Sequence, residues 1–250
     1  MDIKDFFESH SEIAIALSGG VDSSVLLFLA KKYAKKVKAY YVRSQFQPAF
    51  EYDDALSVAE KANAELGIIE IDVLSDKKTV SNTSERCYYC KKRIFKAVCL
   101  AAQNDGFIFC AEGTNASDDI DDRPGFRALK ELNVLSPLRI CGFTKEKIRL
   151  LAKQYQLPVA DKPSYACLAT RIPEGTQITQ ELLVKTENAE KELMKLGYKN
   201  FRVRYSDGFA KLEFGSRELN LYREIKEETD KLLLKYYDGI YPEIKERTDE

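Results

Sequence analysis

The chain has 250 residues, 44% of them hydrophobic, which is enough for one large domain or two smaller ones with a substantial core. Its 39 Lys and Arg residues nearly balance 40 Asp and Glu residues, so a global positive field that would attract nucleic acid is excluded. No segment approaches the ~20 consecutive apolar residues of a membrane span, and charges interrupt the N-terminal stretch where a signal peptide has its apolar core. We therefore expect a cytoplasmic protein, without nucleic-acid or membrane partners, whose six cysteines are thiols or metal ligands.

Apolar runs alternate with helical patterns through the first part of the chain. In order, the predicted elements are a strand at 12–17, a helix at 21–34, a strand at 37–44, a helix at 51–66, and strands at 68–74 and 106–115. This alternation predicts βαβ units, and hence an α/β fold with a doubly wound parallel sheet. Ligands of such sheets bind at the carboxyl ends of the strands.

The second part of the chain has a different pattern. A helix at 144–157 is followed by a loop rich in proline and glycine, which we take as the boundary between a domain at 1–165 and a smaller α+β domain at 166–250. The predicted elements of the smaller domain are a helix at 180–196, a hairpin at 200–214 and a helix at 217–236. The charged end, PEIKERTDE, is expected to be loose.

The SGGVDS motif between the first strand and the first helix has the features of a phosphate-binding loop. Gly19 and Gly20 permit a sharp turn that brings backbone N–H groups close to an anion. Ser18 and Ser23 add hydroxyl donors, and the helix adds its positive N-terminal end. The spacing and the lysine of the P-loop are absent. The motif instead resembles the PP-loop of the ATP pyrophosphatase superfamily, which implies ATP binding with a role for Asp22; a small-residue turn without a ligand is the alternative.

Three cysteines are candidates for one shared site. Cys87 and Cys90 are three residues apart, so one helical turn places both sulfurs on the same face. Cys167, in the boundary loop, could join them across a cleft. Three thiolates suit a [4Fe–4S] cluster with one iron open to an outside ligand, whereas a structural zinc site lacks a suitable fourth ligand. Packing or a redox dithiol is the alternative for the pair. The cysteines interpreted as buried small side chains are Cys99, Cys110 and Cys141.

Two loops contain further candidates. Arg171, close to Cys167, suits a phosphate or carboxylate beside that sulfur, with a surface arginine as the alternative. The acidic run ASDDIDDRPGF follows a strand end at Gly113-Thr114-Asn115 and could position Mg²⁺ and a nucleotide. A solvated loop explains the same run equally well.

The hairpin FRVRYSDGFAKLEF predicts an anion site. The Asp-Gly pair at 207–208 favours a two-residue turn, which places Arg202 opposite Glu213 and Arg204 opposite Lys211 on the polar face. Neighbouring cations repel one another unless an anion binds, so we predict a phosphate site with Glu213 orienting Arg202. An exposed polar face is the alternative.

Taken in order, SGGVDS, CYYC, GTNASDDIDDRPG, PSYACLATRIPEGTQIT and the RVR hairpin with its later Glu resemble the LarE family, over about residues 12–220. These are ATP-dependent sulfur transferases of nickel-pincer nucleotide biosynthesis. The resemblance implies that ATP adenylates a carboxylate of pyridinium-3,5-biscarboxylic acid mononucleotide, that pyrophosphate leaves, and that sulfur displaces AMP to give a thiocarboxylate. It also implies a homo-oligomer, and it leaves the sulfide donor and the role of the C-terminal tail open.

The same resemblance implies roles for individual residues. Arg171 contacts the substrate or the sulfur site, and the phosphate of the substrate is bound by Arg202, Arg204 and Glu213. ATP and Mg²⁺ are bound by the PP-loop residues Ser18, Gly19, Gly20, Asp22 and Ser23, together with Gly113, Asn115, Asp118, Asp121 and Arg123.

Two sources of sulfur are known in the family. In one, the cysteine at the position of Cys167 gives up its own sulfur and becomes dehydroalanine. In the other, three cysteines, here Cys87, Cys90 and Cys167, hold a [4Fe–4S] cluster with a non-core sulfide on its free iron. The presence of all three favours the cluster. A tRNA thiolase, a nucleotide-binding protein with a structural metal, and an amidating ligase are the competing functions.

Overall fold

The computed structural model describes residues 1–119, 123–241 and 243–247. Its contacts divide the chain into two units. The first consists of Met1–Ser44, Ala49–Val73 and Ser84–Lys162, and the second of Gln45–Pro48, Leu74–Thr83 and Pro163–Glu250. Within the described ranges, no helix is both long enough and apolar enough to cross a membrane.

The regular elements follow one another in a fixed chain order. The helices are α1 (Ile3–Ser9), α2 (Val21–Tyr33), α3 (Ala49–Lys61), α4 (Lys77–Val80), α5 (Arg86–Asn104), α6 (Pro124–Glu131), α7 (Pro137–Ile140), α8 (Lys145–Gln154), α9 (Gln180–Lys195), α10 (Ser216–Glu224) and α11 (Lys226–Leu233). Short 3₁₀ helices lie at Val73–Ser75 and Leu168–Arg171. The strands are β1 (Glu12–Ala16), β2 (Lys36–Arg43), β3 (Glu65–Glu70), β4 (Phe109–Ala111), β5 (Phe201–Ser206), β6 (Phe209–Phe214), β7 (Gly239–Ile240) and β8 (Lys245–Glu246).

The first unit is built on a parallel sheet with the strand order β3-β2-β1-β4. Side chains of β1 alternate between its two faces. Ile13 and Ile15 are buried in a large core that includes residues of α1, α2, α3 and α8. Ala14 belongs to a second core with Val98 and Ala102 of α5. Helices therefore cover both faces, which confirms the predicted doubly wound α/β fold.

The second unit is built on the β5–β6 hairpin. Its register is the predicted one, with Arg202 opposite Glu213 and Arg204 opposite Lys211. The apolar face of the hairpin packs with residues of α9, α10 and α11, and Val203 at its centre is fully buried. β7 and β8 both pair in parallel with β6, so this small sheet is mixed.

Several element predictions were wrong in detail, and the strand predicted at 106–115 is limited to Phe109–Ala111. The predicted helix at 51–66 ends at Lys61, because Asn63 adopts a left-handed turn with φ 48°, and the next strand starts early, at Glu65. The predicted helix at 217–236 is broken at Ile225, whose ψ of 32° leaves the helical range. Of the predicted loose end, 242–250, the described part is strand-paired over Lys245–Glu246, where the outer edge of β6 offers free backbone groups. Positions 242 and 248–250 lie outside the described residues.

Candidate active site

The shape of the PP-loop between β1 and α2 depends on two glycines, at which any side chain would collide with neighbouring backbone. Gly19 has φ 75°, and a Cβ on it would lie 2.4 Å from the backbone oxygen of Glu51. A Cβ on Gly113, just beyond β4, would lie 2.8 Å from the backbone nitrogen of Ser23. Only glycine permits these approaches, so three backbone segments meet at the carboxyl end of the sheet.

Hydroxyl groups fix the same loop from inside. The Ser23 hydroxyl accepts a hydrogen bond from the Ser18 backbone N–H (3.1 Å) and donates to the Gly20 carbonyl (3.1 Å). The Gly20 N–H in turn points at the Ser18 hydroxyl, 3.3 Å away. The loop is therefore ordered before any anion binds, which is the property that an anion site needs.

Asp22 brings the PP-loop together with the acidic loop. Its Oδ2 accepts from the Asn115 side-chain amide (3.5 Å), and the Asn115 backbone N–H donates to Asp118 (3.0 Å). Its Oδ1 is buried and has no hydrogen-bond partner among the described residues. Burial raises the pKa of Asp22, an effect that Lys145 opposes and that Asp118 reinforces. An orphaned, buried carboxylate oxygen beside a phosphate loop is well suited to a divalent cation.

The acidic loop is organised by an arginine that sequence analysis did not identify. Arg139 of α7 donates to the backbone oxygens of Asn115 (3.3 Å) and Asp118 (2.8 Å). Arg123, the residue before α6, pairs with Asp118 at 3.4 Å. Asp121, the remaining predicted residue of this loop, lies outside the described residues. Because Arg139 acts through backbone atoms and comes from a distant turn, no local motif marks it.

The cysteines are all thiols, and all six lie in the described part of the chain. Cys87 and Cys90 lie one turn apart at the start of α5, as their spacing predicts. Both are half-buried. Cys167, also half-buried, directly precedes the 3₁₀ helix of the second unit. Within the described residues, no group of three or more His, Cys, Asp or Glu side chains forms a ready metal site. Two thiols one turn apart nevertheless fit one shared cluster, in which each thiolate would ligate its own iron.

Arg171 is fully buried rather than open to a ligand. Its guanidinium forms a two-point ion pair with Glu190, through Nε (2.7 Å) and Nη2 (3.1 Å). Its Nη1 donates to the Ala166 carbonyl (3.0 Å) and to the Thr170 hydroxyl (2.8 Å), and that hydroxyl donates to the Cys167 carbonyl (2.8 Å). These contacts use four of the five guanidinium donors and fix the backbone on both sides of Cys167. Contact between Arg171 and substrate stays a prediction.

Glu190 connects this loop to the hairpin. Besides Arg171, it accepts hydrogen bonds from the Tyr165 hydroxyl and from the Val203 backbone N–H (2.9 Å). Burial disfavours the charge of Arg171, but Glu190 more than compensates, and the pKa of Arg171 is raised. The Cys167 loop and strand β5 are thus joined through one buried carboxylate.

Positive charge is concentrated on the polar face of the hairpin. Arg202 is half-buried and makes no hydrogen bond or ion pair with any described residue. Burial, reinforced by Arg247, Arg171 and Arg204, lowers its pKa to about 10. Glu213 accepts a hydrogen bond from Arg204 Nε at 2.6 Å. The carboxylate therefore orients Arg204, whereas we predicted that it would orient Arg202. Such a cluster favours a bound anion.

The C-terminal tail adds a cation to this cluster. The Arg247 backbone N–H donates to the Phe214 carbonyl (2.8 Å), next to β8, and its Nη1 lies 3.8 Å from Glu213 Oε2. Sequence analysis missed Arg247, because two-residue parallel strand pairing has too short a pattern to be recognised.

Replacing Asp22 tests whether its buried charge opposes folding. Because its pKa is raised, the ionised form costs stability at neutral pH, and the cost disappears below the ordinary aspartate pKa of about 4. We expect Asp22→Asn to raise the thermal unfolding midpoint of the nucleotide-free protein by about 2–4 °C at pH 7, with a smaller gain at lower pH. Exposed Asp161→Asn is the control, and a lower midpoint for Asp22→Asn would contradict the interpretation.

Replacing Arg171 separates a structural role from ligand contact. Arg171→Gln leaves Glu190 charged and buried, so we expect a loss of about 3–5 kcal/mol in urea unfolding. Exposed Arg217→Gln serves as the control and should change little. Unchanged stability of Arg171→Gln would show that the ion pair is not structural.

Comparisons with known proteins show which family the chain belongs to. The asparagine synthase family model matches residues 4–98, which include the PP-loop. A pyridinium-3,5-bisthiocarboxylic acid mononucleotide synthase of Lactiplantibacillus plantarum is 32% identical over 203 residues, or 80% of this chain and 74% of the relative. An uncharacterized protein of Methanocaldococcus jannaschii is 31% identical, over 85% of this chain and 81% of the length of that protein. A tRNA-specific 2-thiouridylase of Clostridium botulinum is 30% identical, over 62% of this chain and 53% of its own. Because the chain is 32% identical to the Lactiplantibacillus plantarum synthase over 80% of its length, it belongs to the LarE family of ATP-dependent sulfur transferases.

Proposed function

We propose that the protein adenylates a carboxylate of pyridinium-3,5-biscarboxylic acid mononucleotide with ATP, releases pyrophosphate, and converts the acyl adenylate to a thiocarboxylate. The observation that carries this proposal is Asp22, whose buried Oδ1 has no described partner at the edge of an ordered anion loop. A carboxylate is a poor electrophile, and adenylation gives it a leaving group. The proposal therefore explains why a predicted nucleotide loop and three candidate sulfur-site cysteines occur in one chain.

The PP-loop provides the activation step. Its backbone N–H groups and the N-terminal end of α2 would bind the β and γ phosphates, so that these leave together as pyrophosphate. Asp22 and Asp118 would ligate Mg²⁺, which supplies positive charge to the phosphates when bound. Asn115, which bonds both carboxylates, keeps the two loops in register.

The hairpin of the second unit would bind the substrate phosphate. Arg202 is the candidate, since its charge is disfavoured by burial and by neighbouring arginines until an anion arrives. Arg204 and Arg247 would add positive charge near the phosphate, and their ion pairs with Glu213 restrict the positions of both guanidinium groups. A phosphate monoester carries more negative charge than a single carboxylate, so it is the better match for a cluster of arginines.

For the sulfur source, we propose that Cys87, Cys90 and Cys167 hold a [4Fe–4S] cluster. When bound, such a cluster supplies a sulfide that is already ionised at neutral pH. The half-buried positions of Cys87 and Cys90 limit contact with water, and the Arg171–Glu190 pair fixes the backbone at Cys167. Sacrifice of the Cys167 sulfur is the alternative.

Activity with defined reactants tests the proposed function. Anaerobic protein, ATP, Mg²⁺ and the pyridinium mononucleotide should give pyrophosphate, AMP and a thiocarboxylate detectable by mass spectrometry. Arg202→Gln should raise the KM for the mononucleotide at least tenfold, as expected for a lost charged hydrogen bond, without changing ATP affinity. Exposed Arg217→Gln is the matched control.

Absence of pyrophosphate release with this substrate, together with uridine thiolation of added tRNA, would replace the proposal by a tRNA thiolase. Absence of both reactions would favour a nucleotide-binding protein without turnover.

The fate of Cys167 tests the sulfur source. Reconstituted protein should contain roughly four irons per chain, and Cys87→Ala with Cys90→Ala should abolish iron binding. Cys141→Ser, which changes a thiol outside the proposed set, should leave the iron content intact. After turnover, intact Cys167 is expected; dehydroalanine at that position, with full activity in the double variant, would establish sacrifice instead.

A further inference from the structure

The PP-loop lacks the cation that its proposed ligand requires. The motif SGGVDS contains no lysine or arginine and does contain Asp22, whereas a triphosphate has several negative charges. Backbone N–H groups supply only partial charge. Apart from the proposed Mg²⁺, a full positive charge beside the loop would have to come from a side chain elsewhere in the first unit.

Lys162 has the required position. Its Nζ lies 3.4 Å from the Gly19 carbonyl oxygen and 2.5 Å from Asp54 Oδ2, and it sits 4.8 Å from the centre of the Phe50 ring. The side chain is only 16% exposed. An ammonium group has three donors, and hydrogen bonds to described residues account for two of them. One donor remains for a ligand.

The surrounding backbone keeps this ammonium in place. Arg149 of α8 donates from Nη1 to the Lys162 carbonyl (2.6 Å) and to the Ala160 carbonyl (3.1 Å). The first turns of α3 lie directly against the loop, because a Cβ on Gly19 would be 3.3 Å from Asp54 Cβ. Lys162 thus bridges the loop and α3 before any nucleotide is present.

We propose that Lys162 is a further nucleotide-binding residue, which supplies the full positive charge for the β and γ phosphates that the PP-loop lacks. Asp54 neutralises this charge in the nucleotide-free protein and orients the ammonium. The inference rests on the proposed use of ATP and adds a residue, and a charge pair, to that site. It also predicts opposite effects for the two partners, since removing Lys162 exposes the Asp54 carboxylate to the phosphates.

Calorimetric binding of ATP, pyrophosphate and AMP tests this role. Lys162→Gln should weaken the binding of ATP and pyrophosphate at least tenfold and change AMP binding less than twofold, because AMP lacks the β and γ phosphates. Its ATP affinity should also depend less steeply on salt. Lys162→Arg should recover most of the affinity. Asp54→Asn should bind ATP as tightly as the unmodified protein or more tightly.

Two results would overturn the inference. One is unchanged ATP affinity in Lys162→Gln; the other is an equal loss in Asp54→Asn, which would show that the pair only supports the loop. Exposed Lys153→Gln is the control for surface charge. If Lys162→Gln does not fold, Asp54→Asn and Lys162→Arg make the comparison, and a loss in both counts against the inference. Failure of the unmodified protein to bind ATP would instead reject the proposed function itself.

Discussion

The close approach of backbone to backbone at the carboxyl end of the parallel sheet is the constraint on which the rest of the first unit depends. Gly19 lies against the start of α3, and Gly113 lies against the nitrogen of Ser23. A side chain at either position would separate segments that must touch. Because they touch, Asp22 meets Asn115, and Lys162 meets the loop through a backbone oxygen. The geometry of the proposed anion site thus depends on two missing Cβ atoms.

In the second unit, one buried arginine is paired with a carboxylate, and another, half-buried arginine has no such partner among the described residues. Arg171 and Glu190 satisfy each other almost completely, so their ion pair fixes the Cys167 loop to strand β5. Arg202, on strand β5 of the hairpin, has a lowered pKa and no hydrogen-bond or ion-pair partner among the described residues. The first arrangement holds the two segments together, and the second is the basis of the proposed anion site.

Sequence reasoning predicted the features that have a local pattern. The Asp-Gly turn determined the hairpin register, and the alternation of apolar runs determined the parallel sheet. It did not predict features that depend on distant partners. The buried ion pair of Arg171 was not predicted, because its partner, Glu190, lies on a helix 19 residues later with no motif to connect them. Lys162 was missed because its role depends on Asp54, more than a hundred positions earlier.

The same limit applies to the tail. A charged, proline-containing end predicts a loose segment, and only the free edge of β6 explains why Lys245–Glu246 is paired and why Arg247 reaches Glu213. Short strands of two residues contain too little hydrophobic alternation to be recognised. Motifs formed by neighbouring residues were therefore predictable, whereas the side-chain partners that come from distant parts of the sequence were not.

The central claim is that ATP activates a substrate carboxylate, and an isotope label tests this most directly. With ¹⁸O in the carboxylates of the pyridinium mononucleotide, adenylation places a carboxylate oxygen between carbon and phosphorus. Displacement by sulfur then leaves that oxygen on AMP. The account predicts that mass spectrometry of a single turnover finds one ¹⁸O in each AMP formed with thiocarboxylate. Unlabelled AMP accompanying thiocarboxylate formation would contradict it.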